Sequence, residues 1–335
     1  MNMQHGYLAI WFLVVFVIQG FRLYDPNVSY EVFLLEEQAK YEQITDNKIT
    51  EIVDLAMAKK NFPKINRKEI VMFFHSANFD VKRASTMIFK HYEYRRQLPQ
   101  IFHSQDEDPE INDLDEVKKV VSCSILFSDS DLYTPNDRYV YTQLINTNGS
   151  EYNFKKTVKY FFFMIKCLLI KYGTFDGLVV VLDGKGFNRG HIKPFVQSVL
   201  LGRTLLHLIQ NAPPLRIKKV YIVNTNDFVN IVYSAASRLA LYEDFRQKIV
   251  LCDEKNSERV FDHVPREIMP AEYPGGKGPS HTVQAARTYE LMRNLHNKYR
   301  SYADNAPSSS SPTGPKAPNS NSKAGPSGQS VTGED

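Results

Sequence analysis

The chain reads as an α/β protein, a sheet flanked by helices, preceded by a small all-helical domain. Three observations predict this. Residues 178–182 form an unbroken apolar run, mostly β-branched, between Gly177 and Asp183-Gly184, which suits a strand covered on both faces. Segments of helical period lie on either side, at 153–172 and 191–210. A second apolar run follows at 219–223, and strand, helix, strand in that order implies a right-handed crossover with parallel pairing.

Size and composition bound the rest. With 335 residues the chain can hold two domains and a sizeable core. Its 41 basic and 37 acidic residues leave a net charge of only +4, so bulk nucleic-acid binding is not suggested. Cys123, Cys167 and Cys252 are odd in number and far apart, with neither metal-ligand spacing nor a disulfide framework, which fits a reducing compartment. The expectation is a cytoplasmic protein peripheral to membranes. The alternative is secretion or anchoring through residues 7–18, an uncharged stretch that suits a signal-peptide core and is short for a membrane-spanning helix, which needs about 20 residues.

Taken in order, 1–27 is an apolar N-terminal segment and 28–103 the helical domain. Residues 29–61 read as one or two helices broken near Thr45, Asp46 and Asn47. Asn66, with Glu69 three positions on, caps the next helix. Asp80 caps another that carries Ala84, Met87, Ile88 and Tyr92 at helical spacing. Residues 104–116 contain seven Asp or Glu and read as an acidic linker.

The α/β domain spans 117–280. It opens with strands at 120–127 and 138–145, joined by a polar turn through Asp129, Asp131, Pro135 and Asn136. The broad apolar face of 153–172, the central strand, a helix over 192–209, the strand at 219–223, a helix capped by Asp227 and a short strand at 249–252 complete it. A C-terminal helix over 281–302 precedes the tail of 303–335, whose Ser, Pro, Gly and Asn cannot bury enough surface to order it.

Catalytic motifs fail one by one. Gly184, Gly186 and Gly190 follow a strand and precede a helix, but their spacing is GxGxxxG, with Arg189 where a dinucleotide fingerprint needs glycine. There is no P-loop, no GxSxG elbow and no HExxH, and the nine histidines are scattered with no i, i+4 pair. Neither a catalytic residue, a metal site nor a cofactor is predicted. What is left over is apolar surface: Tyr160, Phe161, Met164 and Leu168 on one helix, Leu178, Val180 and Leu182 on one strand face, and Phe228, Val229 and Val232 after the second strand. Ordinary core packing explains such stripes; a ligand-binding wall needs the same residues around a void.

Four ordered motifs carry a resemblance. NFDVKRASTMI at 78–88 with Tyr94-Arg95-Arg96, GLVVVLDGKGF at 177–187, NAPPLRIKKVYIVN at 211–224 and HVPREIMPAEYPGG at 263–276 resemble the CRAL-TRIO lipid-transfer family, near its tocopherol-transfer and retinaldehyde-binding branch, over about residues 45–300. The resemblance implies a sheet and helices enclosing an apolar pocket for one hydrophobic molecule of retinoid, tocopherol or phospholipid class, closed by a mobile gate helix. Carried over, the floor is Leu178, Val180, Leu182 and Val220, one wall Tyr160, Phe161, Met164 and Leu168, another Leu205, Leu208 and Ile209, and the gate Phe228, Val229 and Val232. It also implies a monomer acting at membrane surfaces, with Arg216, Lys218, Arg246 and Lys248 as phosphoinositide contacts. The sequence departs from the family at Met72 and His75, where arginines are usual, and at Glu243-Asp244, which add negative charge near the cleft. The alternative reading keeps the fold with a filled pocket, as an interaction module without lipid cargo.

Overall fold

The computed structural model describes residues 28–59, 65–102, 114–126 and 137–305. The N-terminal helices begin where the sequence places cap residues. α1 (Tyr30–Lys40) starts at Ser29, α2 (Asp46–Met57) at Thr45, α3 (Arg67–Ser76) at Asn66 and α4 (Val81–Arg96) at Asp80; each cap side chain accepts a backbone N–H of the first turn that has no partner within the helix. Glu69 accepts a hydrogen bond from the Tyr92 hydroxyl and so ties α3 to α4. The short α5 (Leu114–Val117) leads into the sheet.

Five strands form that sheet: β1 (Val121–Leu126), β2 (Asp137–Leu144), β3 (Gly177–Asp183), β4 (Ile217–Val223) and β5 (Ile249–Leu251). They lie side by side in chain order, β1 and β2 antiparallel and the rest parallel. Parallel crossovers share one hand, so adding strands always in the same direction puts every crossover helix on one face. These are α6 (Phe154–Tyr172), then α7 (Arg189–Gln197) with α8 (Val199–Asn211), then α9 (Asp227–Leu239) with α10 (Glu243–Arg246). The opposite face is covered by the chain after β5, including a 3-10 helix at Ser257–Asp262. The last helix, α11 (His281–Asn305), packs over β1, where the Thr288 hydroxyl accepts the Ile125 N–H.

Some expected elements change. The single helix over 192–209 is two helices, α7 and α8, meeting at Ser198. Pro194 lies inside α7, where it removes a backbone donor. The cap of α9 is Asn226 rather than Asp227, since the Asn226 side chain accepts the N–H groups of Phe228 and Val229. The last helix runs three residues beyond 302. The expected turn at 129–136, the apolar segment 7–18, most of the acidic linker and nearly all of the tail lie outside the described residues.

Alternation along β3 sorts the core. Val179 and Val181 join Tyr139, Tyr141, Tyr221, Val260 and Met269 on the far face, while Leu178 and Val180 join α6 on the helix face. The helix-face core continues without a break into Phe33, Ile52, Phe74 and Ile88 of the N-terminal helices. A third cluster joins Leu201, Leu205 and Leu208 of α8 to Leu98, Ile101, Phe102 and Val158. Full burial of such side chains contributes about 1.5–3 kcal/mol each, so the residues that forgo it need a different explanation.

Candidate functional site

Those residues lie together at one end of the helix face. Along β4 the far-face residues Tyr221 and Val223 are buried, whereas Val220 and Ile222, facing the helices, are only half-buried, although β4 is interior to the sheet. In register beside them are Leu182 on β3 and Ile249 and Leu251 on β5, also half-buried. Above this floor, α9 buries Val229 alone among its residues; Phe228, Val232 and Tyr233 are half-buried. Phe161 and Ile165 on α6 are likewise half-buried against the main core. Gly202 on α8 is buried, yet a methyl group added to it would find no heavy atom within 4 Å beyond its chain neighbours and its own helix backbone. A strand face that is apolar and left accessible can receive an apolar guest.

The outer side of the same helices is open. α7 and α9 border a groove of about 420 Å3, lined by Arg189, Ile192, Lys193, Val196, Gln197, Phe228 and Ile231. Val196, Leu200 and Ile231 are 63%, 78% and 56% exposed. α9 is held mainly at its ends. The Asn226 amide donates to the Phe187 carbonyl at 2.9 Å, and at the other end the Gln210 amide donates to the Ala240 carbonyl at 3.0 Å and accepts the Tyr242 N–H at 2.8 Å. The glycines before α7 serve the backbone. A Cβ on Gly190 would come within 3.0 Å of Gly149 Cα, and Gly186 has φ +81°.

The expected phosphoinositide contacts have partners inside the molecule. Arg216 donates from Nε and Nη2 to the His75 carbonyl at 2.9 and 2.6 Å, in the last turn of α3, where that carbonyl also accepts the Asn78 N–H at 3.0 Å. Its guanidinium lies 5.3 Å from the Phe79 ring centroid. Lys218 pairs with Asp137 at 2.6 Å, and Arg246 pairs with Glu243. Burial, reinforced by the positive Arg83, holds the Lys248 ammonium below its ordinary pKa. His75, at the Met72–His75 departure, is almost fully buried, and its pKa is lowered to about 3 by burial first and then by Arg216 and Lys40.

The fourteen expected lining residues divide into groups. Tyr160, Met164, Leu168, Leu178 and Val180 are close-packed in the main core. Leu205 and Leu208 belong to the third core, with Ile209 packed on it, facing the segment after α4. Val229 is the buried residue of α9, while Phe161, Leu182, Val220, Phe228 and Val232 are half-buried. Sequence reading missed Ile222, Ile249, Leu251 and Gly202. Ile222 carried a usable signal, being two residues beyond Val220 and so on the same strand face, and Gly202 is an isolated glycine in a helical pattern, which asks for a packing reason.

Comparisons with known proteins follow the same lines. A family model described as the CRAL/TRIO domain matches residues 135–275. The alpha-tocopherol transfer protein-like proteins of Homo sapiens and Pongo abelii are each 22% identical to this chain over 238 residues, covering 68% of this chain and 65% of theirs, so the chain spans about two thirds of their length. Tyrosine-protein phosphatase non-receptor type 9 of Mus musculus is 35% identical over 100 residues, 30% of this chain and 15% of that protein. Among solved structures, that of Sfh5 covers 79% of this chain and 85% of its own, at 15% identity and a TM-score of 0.46.

Proposed function

The chain carries a CRAL/TRIO domain over residues 135–275, and from that premise we propose that it is a non-enzymatic carrier that binds one hydrophobic molecule and exchanges it at membrane surfaces. The cargo is of retinoid, tocopherol or phospholipid class. The observation that carries this reading is the half-accessible apolar face of β4, Val220 and Ile222, beneath helices that cover it.

No reaction is needed. At about 25 cal/mol per Å2, burying roughly 400 Å2 of ligand surface gains about 10 kcal/mol, from which the costs of association are subtracted. Leu182, Val220, Ile222 and Leu251 form the floor, Phe161 and Ile165 the α6 wall, and Phe228, Val229 and Val232 the closing side. Because α9 is tied at Asn226 and Gln210 and lightly packed between them, it is the element that moves to let cargo pass.

One observation favours the second reading, an interaction module without cargo: Tyr160, Met164 and Leu168, expected in the wall, are no more than 2% exposed and close-packed. A transfer assay separates the two. Movement of fluorescent retinoid, tocopherol and phospholipid analogues from donor to acceptor vesicles is measured for the wild type and for Val220→Trp and Gly202→Trp, which fill the space from the floor and from α8. The carrier reading predicts transfer of at least one analogue by the wild type, at least tenfold slower in both variants, with unchanged far-UV circular dichroism. Equal rates in all three proteins would contradict it.

A further inference from the structure

On the helix face of the sheet, register aligns the strands into two rows. One is Ile125, Val140, Val180, Val220 and Ile249; the other is Cys123, Thr142, Leu182, Ile222 and Leu251. The first row is closed into the core as far as β3 and half-buried on β4 and β5, whereas the second opens one strand earlier, with Leu182 already half-buried. Thr142 stands at that opening. It keeps 9% of its surface, against 0% for Val140 two residues before it and 1% for Cys123 beside it. Its hydroxyl is the only one in the two rows, and it has no side-chain hydrogen-bond partner among the described residues. No charged side chain stands in either row. The remaining heteroatom, the Cys123 thiol, is kept neutral by burial, which pushes its pKa up.

An unpaired hydroxyl in an apolar row costs free energy that a valine of the same shape avoids, which points to a partner from outside the chain. We propose that Thr142 selects the head of the cargo: its hydroxyl hydrogen-bonds an uncharged alcohol or phenol, while the rest of the molecule lies over Leu182, Ile222 and Leu251 toward β5. This rests on the carrier reading and narrows it. The row from Thr142 to Leu251 crosses three strand spacings, roughly 14 Å, so the guest it suits is elongated. A phosphate or carboxylate head brought to Thr142 would exchange its hydration for one neutral donor, with no cation in either row to offset the loss. An alcohol or phenol gives up far less, and threonine can serve it as donor or as acceptor. Molecules of retinol or tocopherol type meet that demand, and a phospholipid head does not.

The test is fluorescence titration of the full chain with retinol and α-tocopherol, each beside the deoxy analogue that lacks its hydroxyl, and with pyrene-labelled phosphatidylcholine as the charged-head comparison. Wild type binds at least one of the alcohols about tenfold more tightly than its deoxy analogue, the worth of one well-made hydrogen bond in an apolar site. Thr142→Val abolishes that preference by weakening the alcohol alone, and Thr142→Ser retains it. Thr142→Val melts no lower than wild type, because its hydroxyl has no partner within the protein to lose. An alcohol preference that survives Thr142→Val, equal weakening of alcohol and deoxy analogue, or phosphatidylcholine bound more tightly than either alcohol would overturn the role of Thr142 and leave the carrier in place. Failure of every probe to bind would remove the carrier reading, and the role of Thr142 with it.

Discussion

At position 75 an imidazole stands where water cannot reach it, between the Tyr41 and Phe79 rings, with Nε2 unpartnered. Burial and the neighbouring cations hold its pKa at about 3, against about 6.5 in an unfolded chain. Between those values the unfolded chain binds a proton that the native fold excludes, so stability is lost as pH falls from about 6.5 toward about 3, by up to about 1.4 kcal/mol per pH unit. Replacing the titrating ring with a phenyl ring, His75→Phe, removes that term: relative to its own value at pH 7, the variant retains about 2 kcal/mol more than wild type at pH 5 in urea unfolding. Equal losses in the two proteins would show that His75 is not the acid-sensitive group. The sequence showed His75 only as a departure where arginine is usual. What it did not show is that Arg216, distant in sequence, binds the His75 carbonyl and lies against Phe79, a bulky residue held at φ +61°. A hydrogen bond from a side chain to a distant backbone carbonyl leaves no periodicity to read. The helix caps, by contrast, are local chemistry, and Asn66 and Asp80 could be read because each acts within three residues of itself, while Ser29 and Thr45 act the same way but were read only as the start and the break of a helical stretch.

Among elements, α9 departs from ordinary packing, with one buried residue in its thirteen and both ends fastened by amide side chains. Gln210 is the C-terminal fastening, joining α8 to Ala240 and Tyr242. Gln210→Ala removes three neutral hydrogen bonds, to the Leu206 and Ala240 carbonyls and from the Tyr242 N–H, worth about 1 kcal/mol each, and is expected to speed release of a bound fluorescent ligand about tenfold in stopped flow, with the equilibrium melt lowered by several degrees. Unchanged release would mean that α9 does not hinge there. The strands and α6 were legible because a period of two or 3.6 with clear ends defines them. The division of 192–209 into α7 and α8 was harder to see, since Pro194 and Ser198 interrupt an apolar pattern that otherwise continues across them.

Over the whole molecule, the N-terminal helices and the sheet share one hydrophobic core, from Phe33 and Phe74 to Leu178 and Val180. The turn at 212–216 is pinned to those helices by Ser76 donating to the Pro213 carbonyl, by His91 at the Ala212 carbonyl and by Arg216 at the His75 carbonyl. The far face of the sheet is closed by the chain after β5. Among the described residues, α7 and α9 carry the exposed apolar side chains Val196 and Ile231 outside this shared core. The order of motifs made the architecture readable, but the division of the apolar residues between closed core and accessible strand face was not. Met164 and Val220 are equally apolar and both on the helix face, and only packing in three dimensions closes over one and leaves the other accessible. Native mass spectrometry with organic extraction, on the full chain purified from a eukaryotic host, tests the carrier most directly. The account predicts an adduct of one molecule per chain that extracts as a single hydrophobic lipid class; a clean apo mass that stays apo after challenge with retinoid, tocopherol and phospholipid would contradict it.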